Sequence, residues 1–295
     1  MALELLRTVD EALRWVGSSQ RRGGRLALVP TMGSLHEGHL ALIREGKRVA
    51  DRVAATIFVN PTQFGPNDDL SCYPRDRDGD LKKCRDAGVE AVFAPDAAEL
   101  YPPGFQTFVE VREISRGLCG DKRPGHFRGV ATVVAKLLCL FRPHVAVFGE
   151  KDYQQLQVIR RLNLDLNLGS EIISVPTVRD RDGLAMSSRN AYLSQSERRR
   201  ALSISAGLRR AQERVKQGVK ETGELAKIMR EELERAQLRE DYIAIVDAET
   251  LAPLERISPE RPARALIAAF VGPTRLIDNL PLDARSADGS SQAQG

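Results

Sequence analysis

The chain has few cysteines, few histidines and few aromatics. Its four cysteines, Cys72, Cys84, Cys119 and Cys139, are spread through 295 residues, and no two have the separation of a zinc knuckle or a redox pair. They read as reduced, mostly buried thiols of a reducing compartment. No apolar run is long enough to cross a bilayer. The opening stretch Met1-Ala2-Leu3-Glu4-Leu5-Leu6 lacks a basic region followed by an apolar core, so no signal peptide is visible. A cytoplasmic location without a membrane partner is expected. The formal net charge of +4 is small for this length and gives no case for a nucleic-acid partner. Arg198-Arg199-Arg200 reads as the solvated face of a helix. There is no Gly-x-Gly, which excludes the dinucleotide-binding fingerprint, and no Gly-x-x-x-x-Gly-Lys-Ser/Thr loop. Gly33 and Gly38 have the glycine spacing of that loop, but His39 stands where its lysine would be. No Ser-His-Asp or Cys-His nucleophile stands out.

What is there is a globular composition, 42% hydrophobic and 28% charged, in a length that suits two domains better than one. Residues 3–20 carry apolar positions at helical spacing. Leu26–Val29 reads as a buried strand, the next stretch as a helix, and Arg52–Val59 as a second strand. Strand, helix and strand in this length predict a βαβ unit and a parallel sheet. A helix over 75–87, short strands at 91–94 and 105–111, an irregular loop at 117–127, an apolar helix over 130–141 and strands at 145–148 and 171–176 follow. The first domain is therefore α/β and spans 1–178. After Arg179-Asp180-Arg181-Asp182-Gly183 the pattern changes to two helices and two strands, an α+β domain over 179–283. Residues 284–295 hold almost no apolar anchor and are expected to be disordered.

The stretch Pro30 to His39 is the focus. Ser34 and Glu37 have capping-box spacing, which predicts a helix beginning at Ser34 with His36 and His39 on one face of its first turn. A helix start offers unpaired N–H groups and partial positive charge, which suits a phosphate. The dipole there favours neutral imidazoles that donate N–H bonds. Lys151, after the strand at 145–148, adds a fixed positive charge, although a surface lysine paired with Glu150 or Asp152 reads equally well. Ser187, Ser188 and Arg189 give two hydroxyls and a guanidinium in succession. This is a clamp for phosphate oxygens or, taken alone, a polar turn before a helix. Gln63 and Gln155 are amides at strand ends, able to meet a hydroxyl or a carboxylate. Asp76, Asp78 and Asp80 suit Mg²⁺ or a solvated surface. Such a set stabilises charge on a transferring phosphoryl group without a protein nucleophile.

The sequence motifs extend this reading. Pro30-Thr31-Met32-Gly33-x-Leu35-His36-x-Gly38-His39 resembles the nucleotide-binding motif of the pantoate–β-alanine ligases. Phe58-Val59-Asn60-Pro61-x-Gln63-Phe64, Tyr73-Pro74-Arg75, Arg123-Pro124-Gly125-His126-Phe127, Phe148 to Gln155 and Met186-Ser187-Ser188-Arg189-Asn190 resemble that family too, in its order, from about residue 25 to 280. Ser34, Thr62 and Cys72 are small departures. The resemblance implies a Rossmann-like N-terminal domain with a smaller α+β C-terminal lid, and a homodimer. It implies condensation of pantoate with β-alanine, driven by ATP with Mg²⁺, through a pantoyl adenylate. By the same resemblance His36 and His39 meet the ATP phosphates, and Lys151 meets the charge of the adenylation transition state. Ser187, Ser188 and Arg189 hold the β- and γ-phosphates from the lid. Pro30, Met32, Gly149, Asp152, Val178 and Met186 line the nucleotide pocket. Gln63, Gln155 and Asn60 bind pantoate, and Asp80 stands near the metal. Two other readings remain at this point, a different nucleotidylyltransferase with a phosphate acceptor and a non-catalytic nucleotide-binding module.

Overall fold

The computed structural model describes residues 3–66 and 68–282. The segment 284–295, expected to be disordered, lies outside the described residues. Two compact units are present. One comprises residues up to Arg179 together with Met186–Arg189, and the other Asp180–Ala185 with the residues from Asn190 on.

The first unit is built on six parallel strands, β1 (Glu4–Leu6), β2 (Leu26–Thr31), β3 (Arg52–Ile57), β4 (Ala91–Phe93), β5 (Val145–Gly149) and β6 (Glu171–Val175), in the order β1-β4-β3-β2-β5-β6. Helices α1 (Val9–Arg21), α2 (Glu37–Val49), α3 (Arg77–Asp86), α4 (Ala97–Leu100), α5 (Leu118–Lys122), α6 (His126–Phe141) and α7 (Tyr153–Asp165) connect them. Alternation along the central strands fixes the two faces. Ala27, Val29, Val53, Ala55, Val145 and Val147 share one core cluster with Leu42 and Ile43 of α2. On the other face Phe141 of α6 meets Phe93 and Trp15 with ring centroids 5.7 and 6.4 Å apart. From β2 the chain moves outward through β3 and β4, then returns to place β5 on the other side of β2. That reversal is a topological switch point, where α/β sheets leave a crevice beyond the strand ends.

The second unit packs α8 (Gln195–Lys216) and α9 (Thr222–Arg235) on an antiparallel sheet of β7 (Arg239–Asp247), β8 (Ala263–Val271) and β9 (Thr274–Pro281). Ala263, Ala265, Ile267, Ala269 and Val271 alternate into a core with Leu208, Leu225, Met229 and Leu233. Ser194 and Glu197 form the capping box that opens α8.

Several local expectations change. Residues 3–20 are not one helix. Glu4–Leu6 is an edge strand paired with β4, and α1 begins at Val9, capped by Thr8 and Glu11. Residues 105–111 form no strand. The Val109 N–H donates to the Thr132 hydroxyl at 3.0 Å rather than to a neighbouring strand. The loop at 117–127 contains the short helix α5. All four cysteines are thiols, with Cys84 and Cys119 buried but Cys72 and Cys139 exposed. Among the described residues no helix is long and apolar enough to cross a membrane.

Candidate active site

The crevice lies at the carboxyl ends of β2 and β5. At the tip of β2 the ladder gives way to side chains. The Thr31 N–H donates to the Thr56 hydroxyl at 3.2 Å, and the Thr31 hydroxyl donates to the Thr56 carbonyl at 2.6 Å. The chain then turns through Gly33, whose φ of +83° suits glycine, and Ser34, whose φ is +50°. Asp80, reaching across from α3, holds this turn. One carboxylate oxygen accepts the Ser34 N–H and the other the Leu35 N–H, both at 2.7 Å. Asp80 is 1% exposed. Burial pushes its carboxyl above the ordinary carboxylate range, against the pull of those two N–H groups and Lys83.

This corrects the expected helix start. Ser34 is drawn out of helical geometry, and His36 is the cap of α2. Its Nδ1 accepts the Gly38 N–H at 3.1 Å, and Nδ1 of His39 accepts the His36 N–H at 3.2 Å. The rings lie 4.1 Å apart between centroids. An Nδ1 that accepts from backbone assigns the proton to Nε2 in both rings. Burial, then the neighbouring His36, push the pKa of His39 down to about 3. The ring is therefore a neutral donor at physiological pH.

Gln63 is set by its neighbours. The Asn60 amide donates to Gln63 Oε1 at 2.9 Å and to the Gly129 carbonyl at 3.1 Å. Asn60 Oδ1 accepts from Thr62 and from the Tyr101 hydroxyl. Its polar atoms are thus engaged within the protein, and it orients Gln63. Gly129 is required here, because a Cβ would stand 2.3 Å from the Thr62 carbonyl oxygen. Across the crevice, Lys151 Nζ lies 3.8 Å from Asp152 Oδ2, and the lysine side chain is 19% exposed. Gln154 staples the 114–119 loop through Ile114, Arg116 and Cys119, whereas Gln155 lines the crevice.

Met186–Arg189, expected with the second domain, cluster with the first unit. The Met186 N–H donates to the Val178 carbonyl at 3.0 Å, and the Ser188 hydroxyl to the Ser34 carbonyl at 3.1 Å. Pro30, Met32, His36, His39, Asn60, Gln63, Gly149, Lys151, Asp152, Gln155, Val178, Met186, Ser187, Ser188 and Arg189 all line one cleft. Asp80 does not line it. Both its oxygens serve backbone N–H groups. Among the described residues there is no cluster of His, Cys, Asp or Glu fit to hold a metal ion.

Tyr73, Arg123 and His126 also line the cleft, and the sequence assigned them no role. The only signal was their place in motifs and in a glycine- and proline-rich loop. His126 Nδ1 donates to the Gln63 carbonyl at 2.9 Å, while Nε2 lies 3.1 Å from Arg123 Nη1. Arginine only donates, so His126 Nε2 accepts and the ring is neutral. Burial and the Arg123 charge push its pKa from 6.5 down to about 4. Between those values the unfolded chain binds the extra proton. Stability is then complete above pH 6.5 and falls as the pH is lowered towards 4. Urea unfolding at pH 4.5 rather than pH 7 is expected to show about 2–3 kcal/mol lost through His126, a difference that His126→Asn should flatten.

Residues 4–281 match the family model described as pantoate-beta-alanine ligase. The chain is 63% identical to the pantothenate synthetase of Myxococcus xanthus, over 96% of this chain and 97% of that protein. It is 49% identical to the one of Moorella thermoacetica, over 95% and 99%. The crystal structure of the Thermus thermophilus pantothenate synthetase superposes with a TM-score of 0.90 at 44% identity, covering 95% of this chain and 99% of that one. The Francisella tularensis pantoate-beta-alanine ligase, complexed with beta-gamma ATP and beta-alanine, superposes with a TM-score of 0.78 at 32% identity, covering 95% and 98%. The chain belongs to the pantoate–β-alanine ligase family and is an enzyme that forms an amide bond.

Proposed function

We propose that this chain joins pantoate to β-alanine at the expense of ATP, giving pantothenate, AMP and pyrophosphate through a pantoyl adenylate. The observation that carries the reading is a single cleft in which the His36–His39 helix mouth, Lys151 and the Ser187–Arg189 turn converge. The Francisella relative, complexed with beta-gamma ATP and beta-alanine, supports the choice of co-substrates.

In the first step a pantoate carboxylate oxygen attacks the α-phosphorus and pyrophosphate leaves. The Nε2–H groups of His36 and His39 donate to phosphate oxygens, and Lys151 neutralises charge gathering on the reacting phosphorus. Ser187 and Arg189 hold the β- and γ-phosphates, and Ser188, whose hydroxyl donates to the Ser34 carbonyl, ties their turn to the one before α2. Pro30, Met32, Gly149, Asp152, Val178 and Met186 frame the nucleoside. Gln63, oriented by Asn60, and Gln155 receive the hydroxyl and carboxylate of pantoate. In the second step the amine of β-alanine attacks the acyl carbon and AMP leaves. Mg²⁺ enters with ATP as the magnesium–nucleotide co-substrate, held by phosphate oxygens, and no protein residue is assigned to it. The enzyme works in the cytoplasm as a homodimer, and equilibrium sedimentation is expected to return twice the chain mass.

A phosphate acceptor, as in other nucleotidylyltransferases, would need cationic groups at the Gln63 end. There the arginine, Arg123, is already paired with Asp68 at 2.9 Å. The test is an assay with ATP, pantoate and β-alanine, each omitted in turn. Oxygen-18 placed in the pantoate carboxylate is expected to appear in AMP. Label in inorganic phosphate would mean transfer of the γ-phosphoryl group and would overturn the adenylate.

A further inference from the structure

Asp68 and Asp69 are neighbours in the chain, yet each grips a different arginine. Asp68 Oδ2 accepts from Arg123 Nη2 at 2.9 Å and Nε at 3.3 Å. Asp69 accepts from Arg189 Nε at 2.9 Å and Nη2 at 2.7 Å, one bond to each carboxylate oxygen. The side chains of Arg189 and Asp69 are only 27% and 22% exposed, and 120 residues separate them along the chain. The Tyr73 ring, 7% exposed, lies with its centroid 5.7 Å from the Arg189 guanidinium carbon. A guanidinium has five N–H donors in a fixed fork. Asp69 uses the Nε/Nη2 edge. The Nη1 donors of Arg189 hydrogen-bond to no described residue and belong to a group that lines the cleft.

We propose that Asp69 is a positioning residue for the reaction. By holding one edge of Arg189 against the Tyr73 ring, it presents the other edge to the terminal phosphates of the nucleotide. Asp68, tied to Arg123, fixes the loop from which Asp69 acts. The arrangement removes the rotamer freedom that a long cationic side chain otherwise loses on binding. It also keeps the guanidinium paired while the cleft is empty. This inference rests on the reading that Arg189 meets phosphate oxygens.

The experiment is steady-state kinetics of the wild type, D69N, D69E, R189A and the D69N/R189A double variant, with KM measured for ATP and for pantoate. D69N is expected to raise the KM for ATP about tenfold and that for pantoate by less than about twofold. R189A is expected to raise the KM for ATP further. Adding D69N to R189A is expected to change it by less than about twofold, because the residue through which Asp69 acts is gone. D69E, which keeps the carboxylate, is expected to recover most of the loss. An unchanged or lowered KM for ATP in D69N, or its full effect persisting in the R189A background, overturns the positioning role alone. An unchanged KM for ATP in R189A overturns the phosphate assignment of Arg189, and this inference with it.

Discussion

Lys151→Ala is expected to slow pyrophosphate release from ATP and pantoate by at least about 10²-fold in a single-turnover measurement. The figure corresponds to about 2.7 kcal/mol of transition-state stabilisation. Lys151 follows the carboxyl end of β5, and its ammonium lines the cleft with the neighbouring Asp152 oxygen 3.8 Å away. The histidines across the cleft cannot replace that charge. His39 is neutral far below physiological pH, and the Nδ1 of His36 is committed to backbone. Removing the ammonium leaves neutral imidazole N–H groups where a full positive charge faced the reacting phosphorus. Hydrolysis of synthetic pantoyl adenylate is expected to change much less, since its phosphorus has already reacted. A near-normal rate of pyrophosphate release in Lys151→Ala would refute the role.

Asp80→Ala is expected to cost about 2–4 kcal/mol of folding stability, read from urea unfolding at pH 7. It leaves the Ser34 and Leu35 N–H groups without their acceptors, and a buried unsatisfied donor costs about 1–3 kcal/mol. The kinetic effect follows the same path. The turn that Asp80 grips leads directly into the His36 cap, so activity should fall together with stability. Asp80→Asn keeps one oxygen as acceptor and should show a smaller loss of both. Equal stability in the wild type and Asp80→Ala would show that the turn holds itself.

Patterns carried within a few residues are readable in the chain, and those made by distant partners are not. The apolar run before Pro30 and the glycine–histidine spacing after it mark a strand leading into a helix whose first turn carries both histidines. Ser34-x-x-Glu37 has the spacing of a capping box, but Asp80, 46 residues away, pulls Ser34 into left-handed geometry and the cap passes to His36. The short strand β1 has three residues, too few to show a period, and it merged with the helix that follows. Residues 105–111 alternate like a strand, but alternation cannot say whether a neighbouring strand exists. The roles of Asp69 and Asn60 are likewise invisible in sequence. Each works by holding another side chain, and the Asp69–Arg189 pair spans 120 residues. Nothing local marks Met186–Arg189 as belonging with the first unit either, since the chain passes through Asp180–Ala185 of the other unit immediately before.

The pairing of β2 with β5 has a consequence for how the enzyme comes into being. The Leu26 N–H donates to the His144 ring across 118 residues, beside the register that pairs Ala27 with Val145 and Leu28 with Ala146. Closing so long a loop costs chain entropy before any contact repays it. Non-local closures of this kind slow folding. On the ribosome, the imidazole half of the cleft is synthesised well before its ammonium half. The nascent chain can therefore not assemble the cleft until β5 has emerged and docked beside β2.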